Sequence, residues 1–355
     1  MNTALRIAVA VIVATTVVAP GTTVGAAPEV TRIKVVEPVS TTLPTFGVFN
    51  HTKALGLFKK HGLDVDVLGV VGSAAATKAV VAGEAVAAPP DYGFMLSAVG
   101  QGADLISVLS PYTTLAFVIA SKAEIKSIPD LKGKVFGFSA PPPGGADYTW
   151  ASFTFKAFGL GPPEKEVTAV AIGSPPDRVR ALIAGRIDAA LVSMDFLPVI
   201  QKEKGIHMLE GHVGKYQRNY PGASLILQRA FVEKNPETVK ALIKAVLEAN
   251  RLISRDQEAL FTAQQAVTPG RYSKEDISAI WGRLKTFNFW SVNGGMGTLF
   301  EKTVFDVALG QLAPHLVGNP RLADSSKIFS RTILDEALKE LGVIPVPWDP
   351  VDWRK

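Results

Sequence analysis

Within AIGSPPDRVRALIAGRIDAALVS, residues 171–193, apolar side chains recur at Val179, Leu182 and Ile183 and then close up in IDAALVS. The first spacing is that of an amphipathic helix, the second that of a buried strand. Ser174 stands where a helix N-cap belongs, Pro175 at the first helical position and Gly185 just past the last turn. A looser copy, VVGSAAATKAVVAGEAVAA, lies upstream at residues 70–88: Gly72-Ser73 answers Gly173-Ser174, and Ala82-Gly83 answers Ala184-Gly185. In that copy Ser73 is expected to cap a helix over residues 74–82, with Gly83 as its left-handed stop and AVAAPP as the next strand.

The same patterning extends along the chain. RIKVVEP reads as a strand, VSTTLPTFG as a turn-rich entry to a helix ending before His61-Gly62, and LDVDVLGVV alternates strictly at Leu63, Val65 and Val67. KVFGFSA predicts a strand, YTWASFTFKAFGLG a helix and VTAVAI a short strand. Strands alternating with helices imply parallel sheet and right-handed crossovers. Two such blocks, separated by AFVIASKAEIKSIPDLKG, point to two α/β lobes. GASLILQ then returns to a strand. A long helix follows, with Asn235 as cap, Pro236 next and a stripe at Val239, Leu242, Ile243, Val246 and Leu247. The last hundred residues read as mostly helical, with Ser273 as a further cap.

Composition narrows the class. A chain of 355 residues with 47% apolar side chains has material for two domains. MNTALRIAVAVIVATTVVAPGTTVGAAPEV places Arg6 before an apolar run from Ile7 to Val18 and then small residues, which is signal-peptide grammar with a cut after Ala26. The run is shorter than the roughly 20 residues of a spanning helix, so a membrane anchor is the weaker reading, and no later stretch spans a bilayer. There is no cysteine, which removes disulfides, thiolate metal sites, cysteine nucleophiles and a lipidated cysteine anchor. A soluble periplasmic protein without stable membrane insertion is expected. The net charge of +5 is spread without a basic run, unlike the clustered stripe of a nucleic-acid binder.

KAEIKSIPDLKGKVFGFSAPPPGG (122–145) resembles the lobe-crossing segment of the periplasmic substrate-binding proteins of bacterial ABC importers, the subset handling nitrate, taurine, aliphatic sulfonates and thiamine-pyrimidine precursors. GLFKKHGLDVDVLGVVGSAAATKAVVAGE (56–84), DRVRALIAGRIDAALVS (177–193) and FVEKNPETVKALIKAVLEAN (231–250) agree with it in the same order. The resemblance implies a type II periplasmic-binding fold, α/β, with two lobes joined by two crossing strands and the ligand between them. It assigns 1–26 to the signal peptide, 27–118 and 223–355 to lobe 1, and 119–222 to lobe 2, with crossings near Phe117–Ala120 and Ala223–Leu227. It implies a monomer that hands a small organic ligand to an ABC permease and indirectly to its ATPase, with no cofactor and no metal. One feature departs from the family: the first block has Val86 where an acidic residue is usual, while the second keeps Asp188.

In open α/β sheets, ligands lie beyond the carboxyl ends of the strands. That rule nominates the loops Ser40, Thr41, Thr42 and Phe46; Gly72 and Ser73; Pro90, Asp91 and Tyr92; Ser139, Gly144, Gly145, Ala146 and Tyr148; and Ser193 and Asp195. In SAPPPGGAD the prolines stiffen the approach and Gly144-Gly145-Ala146 offer bare N–H groups at a helix start. A charge at a helix N-terminus contributes roughly 0.3–1 kcal/mol, up to about 2 when partly buried, whereas micromolar affinity needs about 8 kcal/mol. Burial of apolar ligand surface at about 25 cal/mol per Å² makes up the difference, so Phe46, Tyr92 and Tyr148 are expected as walls. These loops hold Asp91 and Asp195 but no Arg or Lys, which favours a neutral or amphoteric organic molecule over a strong anion.

Two other classes compete. GFSAP at Gly137–Pro141 falls one residue short of a G-x-S-x-G elbow, with His207 or His212 as conceivable bases of a periplasmic serine hydrolase, a weaker reading than a loop serine. His207 and His212, five apart, miss the i, i+4 spacing of a helical zinc pair and read as loop histidines. GGMGTLF near Gly295 is a still weaker nucleotide-loop signal. A ligand-sensing partner of a receptor would use the same cleft and is not separable by sequence.

Overall fold

The computed structural model describes residues 26–142, 146–211, 213, 222–295, 305–306, 309–310 and 314–345; nearly all of the leader, Gly144, Gly145 and His212 lie outside them. Among the described residues, strands β1 (Arg32–Glu37), β2 (Asp64–Gly69), β3 (Ala87–Ala88), β4 (Leu105–Leu109), β5 (Phe117–Lys122), β6 (Val135–Phe138), β7 (Thr168–Ala171), β8 (Ala189–Ser193), β9 (Ile206–Glu210) and β10 (Leu225–Gln228) form two five-stranded sheets. The first has the order β2-β1-β3-β10-β4 and the second β7-β6-β8-β5-β9.

The two orders are one plan written twice. In each sheet four strands run the same way, and a fifth enters antiparallel from the other lobe, β10 between β3 and β4, β5 between β8 and β9. The duplicated phrase occupies equivalent places: helix Gly72–Val81 joins β2 to β3, and helix Pro175–Ile183 joins β7 to β8. Gly72 and Gly173 enter these helices, and Gly83 and Gly185 leave them, at left-handed φ angles, a conformation glycine adopts without steric cost.

The caps differ in detail. Ser174 holds the N-cap position, and its backbone N donates to Asp177 Oδ2 at 3.3 Å. Ser273 and Asp276 make the same box. Ser73, by contrast, sits inside its helix, which begins at Gly72, and its Oγ accepts from Asp91 N at 3.1 Å; it ties two cleft loops together instead of capping. Asn235 precedes helix Pro236–Arg255 without a side-chain cap, its Nδ2 donating back to Phe231 O at 3.0 Å. The stripe at Val239, Leu242, Ile243, Val246 and Leu247 is fully buried, each side chain contributing about 2 kcal/mol of transfer free energy.

The chain passes between sheets through residues 110–116, and it leaves the second sheet at the end of β9, Glu210, and rejoins the first at the start of β10, Leu225. Phe117–Ala120 already lies in β5, and Leu225–Leu227 in β10, so both expected crossings fall a few residues inside the lobes; sheet pairing captures these strands as soon as they arrive. Residues 122–142, the described part of the segment expected to cross between lobes, are internal to the second lobe for the same reason. Helix Tyr92–Gly100 and strands β4 and β9 escaped the sequence reading. His207, expected on a loop, is in β9 and its Nε2 contacts Ile125 O at 2.7 Å. Asp188 pairs with Lys122 at 2.7 Å and accepts from Val135 N at 2.8 Å, so the acidic residue that distinguishes the second copy fastens three strands. No helix among the described residues is long and apolar enough to cross a membrane.

Candidate functional site

Where the carboxyl ends of the two sheets face one another, a cleft of about 480 Å³ opens, within the usual range for small-molecule sites of roughly 300–1,000 Å³. Both copies of the repeat reach it: Gly72 and Ser73 line one side, Gly173 and Ser174 the other. Ser40, Thr41, Phe46, Asp91 and Ser139, also nominated from sequence, complete much of the rim.

The first-lobe loop Pro38–Ser40 is held along the end of β2, Val70 N donating to Glu37 O at 3.0 Å and Gly72 N to Pro38 O at 3.1 Å. In the second lobe the Ser139 loop is fixed by Asp147, whose carboxylate accepts from Ser139 N at 2.6 Å and Ser139 Oγ at 2.5 Å. Asp91 is committed to capping helix Tyr92–Gly100 through Gly93 N at 2.9 Å. Ser139 therefore has a carboxylate partner, not an imidazole, and GFSAP does not assemble a serine–histidine pair among the described residues.

Several nominated residues stand away from the cleft wall. Thr42 is buried and its carbonyl accepts from Gln264 Nε2 at 3.1 Å. Pro90 is turned toward Ser224, whose N donates to its carbonyl at 2.9 Å, and the neighbouring Pro89 lines the cleft instead. Tyr92 is 1% exposed and packs on Phe329 with ring centroids 5.8 Å apart; burial raises its phenol pKa far above the ordinary value. Tyr148 lies against Phe138 and donates to Glu164 Oε2 at 2.7 Å, outside the cleft, burial and that carboxylate together pushing its pKa to about 12. Ala146 opens helix Ala146–Ala157; Gly144 and Gly145 lie outside the described residues.

Ser193 and Asp195 are deep in the connection between the lobes. Asp195 Oδ1 accepts from Thr45 N at 2.9 Å, and both Thr45 Oγ1 and Ser193 Oγ bond its other oxygen. Thr45 belongs to the first lobe and Asp195 to the second, so this is a polar latch across the hinge. Desolvation raises the Asp195 carboxyl pKa, and the two hydroxyls and the Thr45 N–H partly oppose it.

The cleft also holds residues that the sequence reading passed over. Tyr112, Leu115 and Phe117 bring the first crossing to its floor, with Phe46 edge-on to Tyr112 at 6.5 Å and tilted on Phe117 at 6.3 Å. These, with four prolines at 38, 89, 175 and 176, make the wall largely apolar. Glu37, the last residue of β1, is 1% exposed and lines the cleft; its strand-end position was the available signal. Arg271 arrives from a loop between helices Gln257–Val267 and Lys274–Thr286. The expectation of a cleft without cationic side chains is therefore corrected: nothing local in TPGRYSKED reveals that this loop folds over the cleft.

A family model described as NMT1/THI5 like matches residues 44–259, more than half of the chain. The chain belongs to the NMT1/THI5-like family. Solved structures support the fold of this NMT1/THI5-like protein. The periplasmic nitrate-binding protein NrtA from Synechocystis PCC 6803 aligns with a TM-score of 0.71 at 18% identity, covering 92% of this chain and 94% of its own. A protein from Bordetella bronchiseptica RB50 gives 0.70 at 20% identity, covering 90% and 100%. The periplasmic aliphatic sulphonate binding protein SsuA from Escherichia coli gives 0.64 at 17% identity, covering 82% and 92%. The NMT1/THI5-like chain thus has the periplasmic-binding-protein fold. No curated protein matches it.

Proposed function

We propose that this protein is the extracytoplasmic solute-binding component of an ABC importer, capturing a small organic molecule between its lobes and presenting the closed form to a membrane permease and, through it, to an ATPase. The observation that carries this reading is that both copies of the Gly-Ser turn line one cleft between two topologically equivalent sheets. A molecule touching both turns favours the closed arrangement by its differential affinity for it. The similar structures include proteins that bind nitrate and sulfonates, which supports a solute-binding role. On this reading the leader ending at Ala26 is removed on export to the periplasm, residues 27–118 with 223–355 and residues 119–222 move as two lobes of a monomer, and binding takes place without turnover or cofactor. Ser139, committed to Asp147, supports binding over hydrolysis.

A thermal-shift screen over sulfonates, aromatic acids, pyrimidines and polyamines tests the proposal, because a ligand at 100 times its Kd stabilises by about 2.7 kcal/mol. A hit that also reduces the radius of gyration in solution scattering supports it. Absence of any stabilising compound, or covalent labelling of Ser139 by a fluorophosphonate, overturns it.

A further inference from the structure

We infer that the molecule held in this cleft is amphoteric, with a nitrogen-centred hydrogen-bond donor that meets Glu37 and an acidic or strongly accepting group that meets Arg271. This rests on the solute-binding reading and names the chemistry of that site.

Glu37 is an unusual residue to find on an apolar wall. Its Oε1 accepts from Phe49 N at 2.5 Å and Asn50 N at 3.4 Å. Among the described residues nothing donates to Oε2, and no lysine, arginine or histidine is paired with the carboxyl. Burying a carboxyl without a counter-charge costs stability, since water is removed and only part of its hydrogen-bonding capacity is replaced. The side chain is buried and the residue lines the cleft, so a bound molecule is the partner able to complete it. Desolvation holds the group at about pKa 7, from which a donor, above all a charged ammonium, draws it to the ionised form.

Arg271 supplies the other end. Its guanidinium stands 5.7 Å from the Tyr272 ring centroid and acts on Asp195 from a distance, lowering that carboxyl's pKa, without a direct ion pair to a carboxylate among the described residues. Phe46, Tyr112 and Phe117 line the same space. A small inorganic anion would satisfy Arg271 but would meet Glu37 and Asp91 and leave the aromatic floor unused. A molecule with an apolar body and opposite polar ends uses all three features.

The test compares matched probes on one skeleton: 4-(aminomethyl)benzoate, 4-methylbenzoate and 4-methylbenzylamine, with 6-aminohexanoate, hexanoate and hexylamine as the aliphatic set, run alongside the wider screen. The double-ended probe of at least one set is expected to raise the melting temperature more than either single-ended match. Glu37→Gln, which keeps the acceptor for Phe49 N, is expected to weaken that probe at least 10-fold by calorimetry and the carboxylate-only probe less than 3-fold. The comparison in the unaltered protein needs no variant and stands if E37Q fails to fold. If compounds in the wider screen bind but the double-ended probes gain nothing over their matches, or if E37Q binds the preferred probe unchanged, this inference falls while the solute-binding reading survives. If no compound binds at all, the solute-binding reading falls and takes the inference with it.

Discussion

Arg178 Nη1 lies 3.4 Å from Asp147 Oδ2, and both side chains are almost fully buried, at 2% and 3% exposure. The same guanidinium donates through Nε to Leu191 O at 2.9 Å and through Nη1 to Gly173 O, while Asp147 holds Ser139. One ion pair thus fixes both second-lobe turns that line the cleft. Removing one member of a buried pair leaves the other uncompensated and costs about 3–5 kcal/mol. Arg178→Met is expected to lose stability on that scale in urea melts and to weaken any screen hit. Arg178→Lys should not restore it, because an ammonium lacks the planar fork that spans Asp147, Gly173 and Leu191.

Thr45 and Asp195 make the corresponding contact across the hinge. Asp195→Ala orphans the buried Thr45 N–H and leaves the Thr45 and Ser193 hydroxyls only each other, 3.1 Å apart; a buried polar group left unmet costs about 1–3 kcal/mol. A lower melting temperature and a larger radius of gyration for the ligand-free protein are expected. Scattering that matches the unaltered protein would remove the latch from the hinge.

Glu37 gives stability a sign with pH. Burial raises its folded pKa from the ordinary 4.5 to about 7, so the folded chain holds this proton more tightly than the unfolded one. The contribution is full below pH 4.5 and lost as pH rises through about 7, on the order of 3 kcal/mol. His51 runs the other way: burial lowers its pKa from 6.5 to about 4, and stability is lost as pH falls through that window. Because His51 is common to both proteins, the difference between E37Q and the unaltered chain isolates Glu37. That difference should grow in favour of E37Q between pH 5 and pH 8 in denaturant titrations; a constant offset would contradict the assignment.

Gly222 sits where the returning crossing passes the outgoing one, and a Cβ there would stand 2.2 Å from the Thr114 carbonyl oxygen. The three nearest atoms, Thr114 O, Thr114 C and Leu115 N, are all backbone. Gly222→Ala is expected to separate the crossings, lower the melting temperature by several degrees and change ligand affinity, a combination that calorimetry and melting curves read together.

Arg271→Met should do the reverse of Arg178→Met. Arg271 is exposed and loosely tied, and surface changes of this kind stay within about 0.5 kcal/mol. Loss of a hydrogen bond to a charged group costs a ligand about 1.5–3 kcal/mol. Affinity for a carboxylate-bearing hit should therefore fall by more than 10-fold while the melting temperature holds.

The division between what was legible and what was not follows the range of the interactions. Val179, Leu182 and Ile183 at helical spacing, Ser174 and Asp177 at one helix start, and Gly83 and Gly185 at two helix ends act within a few residues, so the sequence carried the βαβ units, the duplication and the turns Gly72-Ser73 and Gly173-Ser174. Ser193 and Asp195 were assigned to the cleft because they follow a strand; what draws them into the hinge is Thr45, about 150 residues away.

The sequence by itself determined the alternation of strands and helices, the repeat and the kind of site a two-lobed α/β protein builds, because local propensity and hydrophobic period are written residue by residue. Tertiary structure alone decided that Arg271 overhangs the cleft, that Glu37 is left with an open oxygen, and that Asp195 latches the hinge. Each depends on segments distant in the chain meeting in space, and burial by those distant segments sets both the partners and the protonation of a charged side chain.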